Sequence, residues 1–301
     1  MNNRPSSLRA GLALAALLSC AAVPPALAAG AVPGGDSAPS APRDAAREAL
    51  INRVIGAAGL REQMQEMQNS VQESFAASAE KQPGANATPE ARARLEKMAA
   101  AVGKAFRAEG FITRIEAVLR EQYSQAHLRA ALAGLNTPLV RRMTEIEKQH
   151  QDMSAVAAFA ARLRQEPLPL ARVGLFARLD VATGASDIGA RAVTSTLKLM
   201  AYANPGVDKE QAAAAAAQID GHRGEIINRM RADIAANFAY TYREVSDADL
   251  AAYVRAAEGD NLHWLNQKIG IALDREFDAG IARMINAFRN ILQPGGAAAA
   301  S

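Results

Sequence analysis

The densest group of side chains suited to ligand binding is aromatic and lies between positions 238 and 264. Its members are Phe238, Tyr240, Tyr242, Tyr253, His263 and Trp264. Tyrosine, histidine and tryptophan combine an apolar ring with a polar edge, which is typical of ligand and partner grooves. We therefore predict a groove between paired helices, lined by Tyr242, Tyr253, His263 and Trp264. The competing interpretation is that these rings fill the core of a helical hairpin, because an alanine-rich bundle needs bulky side chains to pack closely.

One E-x-x-H step, from Glu147 to His150, places an acid and a histidine on the same side of a predicted helix. A di-iron bundle needs two such steps and two further carboxylates, and the sequence contains no second E-x-x-H. One cysteine and four histidines also leave too few ligands for a zinc ribbon or an iron–sulfur cluster. We therefore expect His150 to lie at the edge of the core, and we expect no metal and no other cofactor.

Nucleophile and phosphate motifs are also missing from the sequence. Ser186 lies in the segment 184–189, whose glycine spacing does not fit a nucleophile elbow, and an elbow needs a preceding strand. We predict instead that Ser186 caps the helix that follows it. The acids Asp247 and Asp249 are two positions apart and do not share a helix face. The sequence therefore predicts no catalytic residue.

The elements that must position these residues are all predicted to be helices. Apolar residues recur at intervals of three and four, as in the stripe that begins with Leu60, Met64 and Met67, and no run alternates as a strand would. The longest stripe predicts a helix from Asp260 to Leu292, about 50 Å long. Gly56 and Gly59 are predicted to separate two early helices. The fold class is an all-α, multi-helix bundle without a sheet.

Two parts of the chain resemble each other and predict two tandem, divergent helical-hairpin repeats, over residues 44–165 and 166–292. Ser124 and Ser246 each follow an apolar residue and precede a leucine by four positions, which is the pattern of a capped and stapled helix start. Each short helix is then followed by a turn and a long amphipathic helix. The alternative is chance similarity, because capping signals are common.

The first 28 residues have the pattern of a secretory signal peptide. Arg4 and Arg9 precede an apolar run that ends at two prolines, and small residues lead to a cleavage site near Ala28. Residues 29–43 are predicted to be a flexible linker rich in Ala, Pro, Gly and Ser, and residues 293–301 a disordered tail. We therefore expect a periplasmic or secreted protein.

Cys20 supports a second interpretation of the same segment. The sequence Leu-Leu-Ser-Cys that ends at Cys20 resembles a lipobox, in which the cysteine becomes lipidated. The protein would then be an outer-membrane lipoprotein, and its membrane contact would depend on that lipid. Both alternatives place a cysteine-free helical domain outside the cytoplasm.

The charge balance argues against nucleic-acid binding. The formal net charge is +3, and removal of residues 1–28, with their two arginines and no acid, lowers it to +1. A nucleic-acid surface needs a clustered basic stripe, which this sequence lacks. No later segment is long and uncharged enough for a membrane span, so we expect no transmembrane span in the mature chain.

The segment from Gly134 to Glu147, with Asn-Thr-Pro at its turn and Arg141-Arg142 at the next helix start, resembles a family of secreted bacterial all-helical proteins. That family is catalogued as a domain of unknown function. The segment Asp249–Asn266 resembles a second, divergent copy of the family's motif, although Gly259-Asp260 stands where the family has Ser-Pro. The resemblance implies the fold and an exported location, and it implies no mechanism.

These observations favour an exported, non-enzymatic helical protein that serves as a binding or interaction module of the cell envelope. Its partner would be an unidentified envelope protein or a small apolar ligand. Two alternatives stay open. One is an envelope hydrolase acting on cell wall or lipid, with a site assembled from scattered acids or histidines, and the other is a lipid-anchored accessory of envelope assembly.

Overall fold

A computed structural model describes residues 41–80, 88–149, 153–203 and 208–292. The described residues form helices joined by short turns and contain no strand, so the predicted all-α bundle is confirmed. In chain order the helices are α1 Ala41–Ala57, α2 Leu60–Glu80, α3 Pro89–Ala105, α4 Ala108–Glu121, α5 Gln125–Leu135, α6 Pro138–Gln149, α7 Met153–Leu163, α8 Leu170–Thr183, α9 Ala185–Ala203, α10 Lys209–Gly221, α11 Arg223–Thr241, α12 Asp247–Ala257 and α13 Asp260–Leu292. The predicted signal peptide, Cys20, residues 29–40 of the predicted linker, His150 and the tail lie outside the described residues. Residues 41–43, which were also predicted as linker, already belong to α1.

Side-chain caps fix the starts of several helices where the sequence predicts them. Ser124 accepts a hydrogen bond from the amide of His127 at 3.3 Å and thereby starts α5. Ser246 accepts one from the amide of Asp249 at 3.1 Å and starts α12. Thr88 caps α3 in the same way, with proline at the first helical position. Each cap satisfies an amide that has no partner within its helix.

One predicted break and one predicted cap differ from the structure. Gly56 lies inside α1, and Gly59 makes the turn between α1 and α2, with φ of +63°. Ser186 is not a cap, because α9 already begins at Ala185. Its hydroxyl donates instead to Asp180 Oδ2 at 2.7 Å, and its amide donates to Asp180 Oδ1 at 2.7 Å. The acid near the end of α8 therefore does for α9 what the serine was predicted to do.

Helix α13 is the central element of the bundle and has the predicted bounds, Asp260–Leu292. It packs against α3, α4 and α5 from the first half of the chain and against α9 from the second half. Gly280 lets the Phe106 ring pack closely against α13, because a Cβ at this position would lie 2.5 Å from Cε1 of Phe106. One hydrophobic core thus continues across both predicted units.

The packing of the two halves corresponds helix by helix. Helix α2 packs on α3 and α4 as α9 packs on α10 and α11, and α1 packs on α5 as α8 packs on α12. Gly59 and Gly184 both have left-handed backbones, with φ of +63° and +69°, and they occupy matching turns, after α1 and after α8. The tandem repeat stays a prediction, which these correspondences support.

Two arginines extend the correspondence to side chains. Arg47 of α1 donates to the carbonyl of Arg120, four residues before the capping Ser124. Arg172 of α8 donates at 2.6 Å to the carbonyl of Tyr242, four residues before the capping Ser246. In the first half, an arginine of α1 therefore contacts the end of α4, and in the second half an arginine of α8 contacts the end of α11.

Candidate functional site

The predicted groove residues Tyr242 and Tyr253 lie inside the bundle, where they meet a buried acid. Both tyrosines are 0% exposed, and Glu147 of α6 is 6% exposed. The Tyr242 hydroxyl donates to Glu147 Oε1 at 2.5 Å, and the Tyr253 hydroxyl donates to the same oxygen at 2.9 Å. These hydrogen bonds offset the cost of burying the carboxyl group.

Aromatic rings enclose this cluster. The Tyr242 ring lies 6.0 Å from the ring of Tyr253, 6.0 Å from that of Phe238 and 6.5 Å from that of Phe176. Phe176 and Phe238 are themselves buried. The structure therefore places half of the predicted groove residues in the core, with their hydroxyl groups bonded to Glu147.

Sequence reasoning missed the part played by Glu147. Apolar spacing alone predicts a buried stripe through Leu139, Met143 and Ile146, whereas Val140, Met143 and Glu147 are the buried residues of that helix. The positional signal was present, because Glu147 follows Met143 by four residues and Val140 by seven. An acid at that position argued for a solvent-exposed side chain, and its tyrosine partners are distant in sequence.

His263 and Trp264 occupy the surface end of α13, where both are partly exposed. The Trp264 ring stacks on the ring of His127 with centroids 5.0 Å apart and planes 12° apart. The ammonium group of Lys268 lies 5.7 Å from the centre of the Trp264 ring. Trp264 therefore fastens α13 to α5, and the four predicted groove residues do not share one environment.

His263 lines two neighbouring cavities at the surface, and these bring a different set of residues together. One cavity, of about 390 Å³, lies against Ala177, Arg178 and Glu258. The other, of about 330 Å³, lies under the α8–α9 turn. Val181, Ala182 and His263 line both cavities, so the end of α8 separates them.

The outer face of α8 is apolar and exposed. Leu170 is 88% exposed, Val173 40% and Val181 76%. Of the side chains that the structure describes, these are the large hydrophobic ones that are exposed. Gly174 and Ala177, which are also exposed, complete a stripe at helical spacing on the side opposite the buried face of α8.

The arginines beside this stripe are already paired. Arg178 makes two hydrogen bonds to the carboxylate of Glu258, at 2.7 and 2.5 Å. The hydrogen bond from Arg178 holds the pKa of Glu258 below its ordinary value. Arg172 binds Asp247 and two backbone carbonyl groups. The outer face of α8 therefore presents apolar surface bordered by neutralised charge pairs.

The cavity under the α8–α9 turn has a different character, because charges of both signs line it. Arg191 of α9 pairs with Asp274 of α13. Arg223 Nη2 of α11 lies 3.9 Å from Asp187 Oδ1 of α9. Burial raises the pKa of Asp274, and the nearby Arg191 and Arg223 partly oppose that rise.

Metal chemistry has no evident site in the part of the chain that the structure describes. There, no three His, Cys, Asp or Glu side chains converge in a way that could hold a metal ion. The E-x-x-H step is only half described, and its described half, Glu147, accepts the two tyrosine hydrogen bonds.

Among the described helices, none has the length and apolar character needed to cross a bilayer.

Comparisons with known proteins found no match for the chain. No protein family, no curated protein sequence and no solved structure matches it. The resemblance to the secreted helical family therefore stays a prediction from its motifs.

Proposed function

We propose that this chain is an exported, non-enzymatic binding protein of the bacterial cell envelope, and that the outer face of α8 binds its partner. The observation that carries the proposal is the concentration of exposed large apolar side chains on α8, among the residues that the structure describes. Burying one such side chain contributes about 1.5–3 kcal/mol. Contiguous exposed apolar surface of this kind is typical of interaction sites.

The occupant that fits this face best is an amphipathic helix of another envelope protein. The stripe from Leu170 to Val181 extends about 16 Å at 1.5 Å per residue, which matches three turns of a partner helix. Gly174 and Ala177 lie in the middle of the stripe and leave room for a second backbone. Because the arginines of the face are paired within the chain, the partner's contacting stripe should be apolar rather than acidic.

Export to the periplasm rests on the N-terminal sequence pattern. Residues 1–28 combine two arginines, an apolar run and small residues before Ala29, as secretory signals do. The lipobox-like segment that ends at Cys20 supports the alternative of an outer-membrane lipoprotein. Either location would present α8 to other envelope proteins.

Site-specific photo-crosslinking in intact cells tests the binding face. A photoreactive amino acid replaces Leu170 in one variant and Val173 in another, and Ala214 on the exposed side of α10 serves as the control position. We expect adducts at Leu170 and Val173 to a helical segment of one envelope protein, identified by mass spectrometry. We expect no such adduct at Ala214.

Three results would overturn the proposal. The first is the absence of any adduct at Leu170 and Val173 from cells that contain the folded protein. The second is an adduct only to a second copy of this chain, because the face would then serve self-association. The third is capture of the same protein equally from Leu170 and from Ala214.

A further inference from the structure

The cavity under the α8–α9 turn shares Val181 with the proposed partner face, whereas Leu170 and Val173 do not line it. We propose that this cavity is a binding site for a small zwitterion with an apolar side chain, either an amino acid or a dipeptide. Its volume of about 330 Å³ lies at the lower end of the range for small-molecule sites, about 300–1,000 Å³.

The loosest ion pair of the cavity supplies the recognition. Arg223 Nη2 and Asp187 Oδ1 are 3.9 Å apart, which is beyond hydrogen-bond distance. Both side chains are largely open to solvent, with 42% and 63% exposed. A zwitterion placed between them would give its carboxylate to the guanidinium of Arg223 and its ammonium group to the carboxylate of Asp187. One loose contact would thus be replaced by two charge-assisted hydrogen bonds.

The second ion pair lines the cavity but is not proposed to bind the ligand. Arg191 and Asp274 are in direct contact and are only 28% and 35% exposed. They join α9 to α13, and they keep the charge of this wall balanced. A ligand with a net charge would therefore find no excess of opposite charge here, whereas a zwitterion satisfies both signs at once.

The rest of the lining suits an apolar side chain. Val181, Ile188 and Ile271 contribute aliphatic surface to the cavity. Asn266 fixes one side of it, because its amide donates to the carbonyl of Ala182 at 3.3 Å and the residue is 5% exposed. The cavity therefore has apolar surface beside its loose charge pair.

Titration calorimetry of the full-length mature protein tests the site. The probes are L-leucine and L-leucyl-L-alanine, which separate the amino-acid source from the dipeptide source. Two analogues each lack one charge: leucinamide lacks the carboxylate, and 4-methylpentanoate lacks the ammonium group. We expect one of the zwitterions to bind and both analogues to bind at least about tenfold more weakly, because each analogue loses a charge-assisted hydrogen bond.

Variants assign the binding to the cavity. Arg223→Gln and Asp187→Asn should each weaken binding of the zwitterion at least about tenfold. Arg178→Gln is the matched control, because it removes an exposed arginine from the Glu258 pair in the neighbouring cavity. We expect Arg178→Gln to bind the zwitterion as the unsubstituted protein does.

Several results would overturn the inference. They are no binding of either zwitterion at concentrations up to about 10 mM, equal binding of 4-methylpentanoate, and binding that is unchanged in Arg223→Gln and Asp187→Asn. Failure of the zwitterion site can be told apart from failure of the partner surface, because Leu170 belongs to the partner face and does not line this cavity. Leu170→Glu should leave zwitterion binding unchanged.

Discussion

The Tyr242 hydroxyl donates a 2.5 Å hydrogen bond to Glu147 Oε1, between residues that are 95 positions apart. Glu147 belongs to the first predicted repeat and Tyr242 to the second. The hydrogen bond therefore joins the two halves inside their common core, where both residues are buried. It also explains why an acid is accommodated on the buried face of α6.

Removal of either tyrosine hydroxyl should destabilise the fold. Tyr242→Phe and Tyr253→Phe each take one donor from Glu147 while they keep the buried ring. We expect each to lower the free energy of unfolding by about 1–3 kcal/mol, because the buried acceptor loses a hydrogen bond. Urea denaturation followed by circular dichroism measures the change.

Tyr123→Phe is the matched control for these variants. Tyr123 is partly buried, and its ring lies 4.9 Å from the guanidinium of Arg47, a contact that phenylalanine keeps. We expect a change within about 0.5 kcal/mol. Equal losses from Tyr123→Phe and Tyr242→Phe would contradict the special role of the Glu147 hydrogen bonds.

Two leucines separate the core from the proposed binding face. Leu250 is 0% exposed and Leu170 is 88% exposed. We expect Leu250→Ala to cost about 2–5 kcal/mol of unfolding free energy. Leu170→Ala should change it by less than about 0.5 kcal/mol. Thermal and urea denaturation provide both values, and a large loss from Leu170→Ala would mean that this side chain packs within the fold.

Helical spacing was enough to predict the architecture from the sequence. The stripe through Leu262, Leu265 and Ile269 gave α13 its correct bounds, and Ser124 and Ser246 marked the starts of α5 and α12. These signals are local, because a cap or a stripe depends on residues within one or two helical turns. Such local signals can be read from the sequence without knowing how the helices pack in three dimensions.

The candidate site could not be predicted, because it depends on contacts between distant segments. The aromatic density at Tyr242 and Tyr253 was visible in the sequence, but the acid that receives their hydroxyl groups lies on α6. The exposure of Val181 follows from how α8 sits on α12, and that packing has no local signature. Ser186 was predicted to cap the helix that follows it, whereas its hydroxyl donates to Asp180 of the preceding helix.

Asp180 should make stability depend on pH in the acidic range. Burial raises its pKa above the ordinary value of 3.8, against the opposing effect of the hydrogen bonds from Ser186. The folded protein therefore binds more protons than the unfolded chain between 3.8 and the raised pKa, so this group's contribution to stability falls as the pH rises through that window. Asp180→Asn removes the titration and can keep both hydrogen bonds to Ser186.

The measurement is urea unfolding of the protein and of Asp180→Asn across a pH series that begins below 3.8. We expect the stability of Asp180→Asn, relative to the unsubstituted protein, to increase as the pH rises. A relative stability that decreases with rising pH would show that the carboxylate is favoured in the fold and that the pKa of Asp180 is lowered.

Intact-mass spectrometry of the mature protein decides between the two forms of export. Cleavage after Ala28 should leave a free amine on Ala29. A mature chain that begins at an acylated Cys20 would establish the lipoprotein instead. A chain that keeps residues 1–28 in cells would contradict export by this signal.

The most direct test of the proposed binding face measures how much of the envelope protein identified by crosslinking is recovered with variants of this chain that are altered on α8. Leu170→Glu places an acid in the first turn of α8, where the helix dipole favours it, and it removes an apolar side chain that is 88% exposed. Ala214→Glu on α10 adds the same charge to another exposed helix. If the outer face of α8 binds the partner, Leu170→Glu lowers its recovery at least about tenfold and Ala214→Glu leaves it unchanged. Equal recovery with both folded variants would contradict the assignment of α8 as the binding surface.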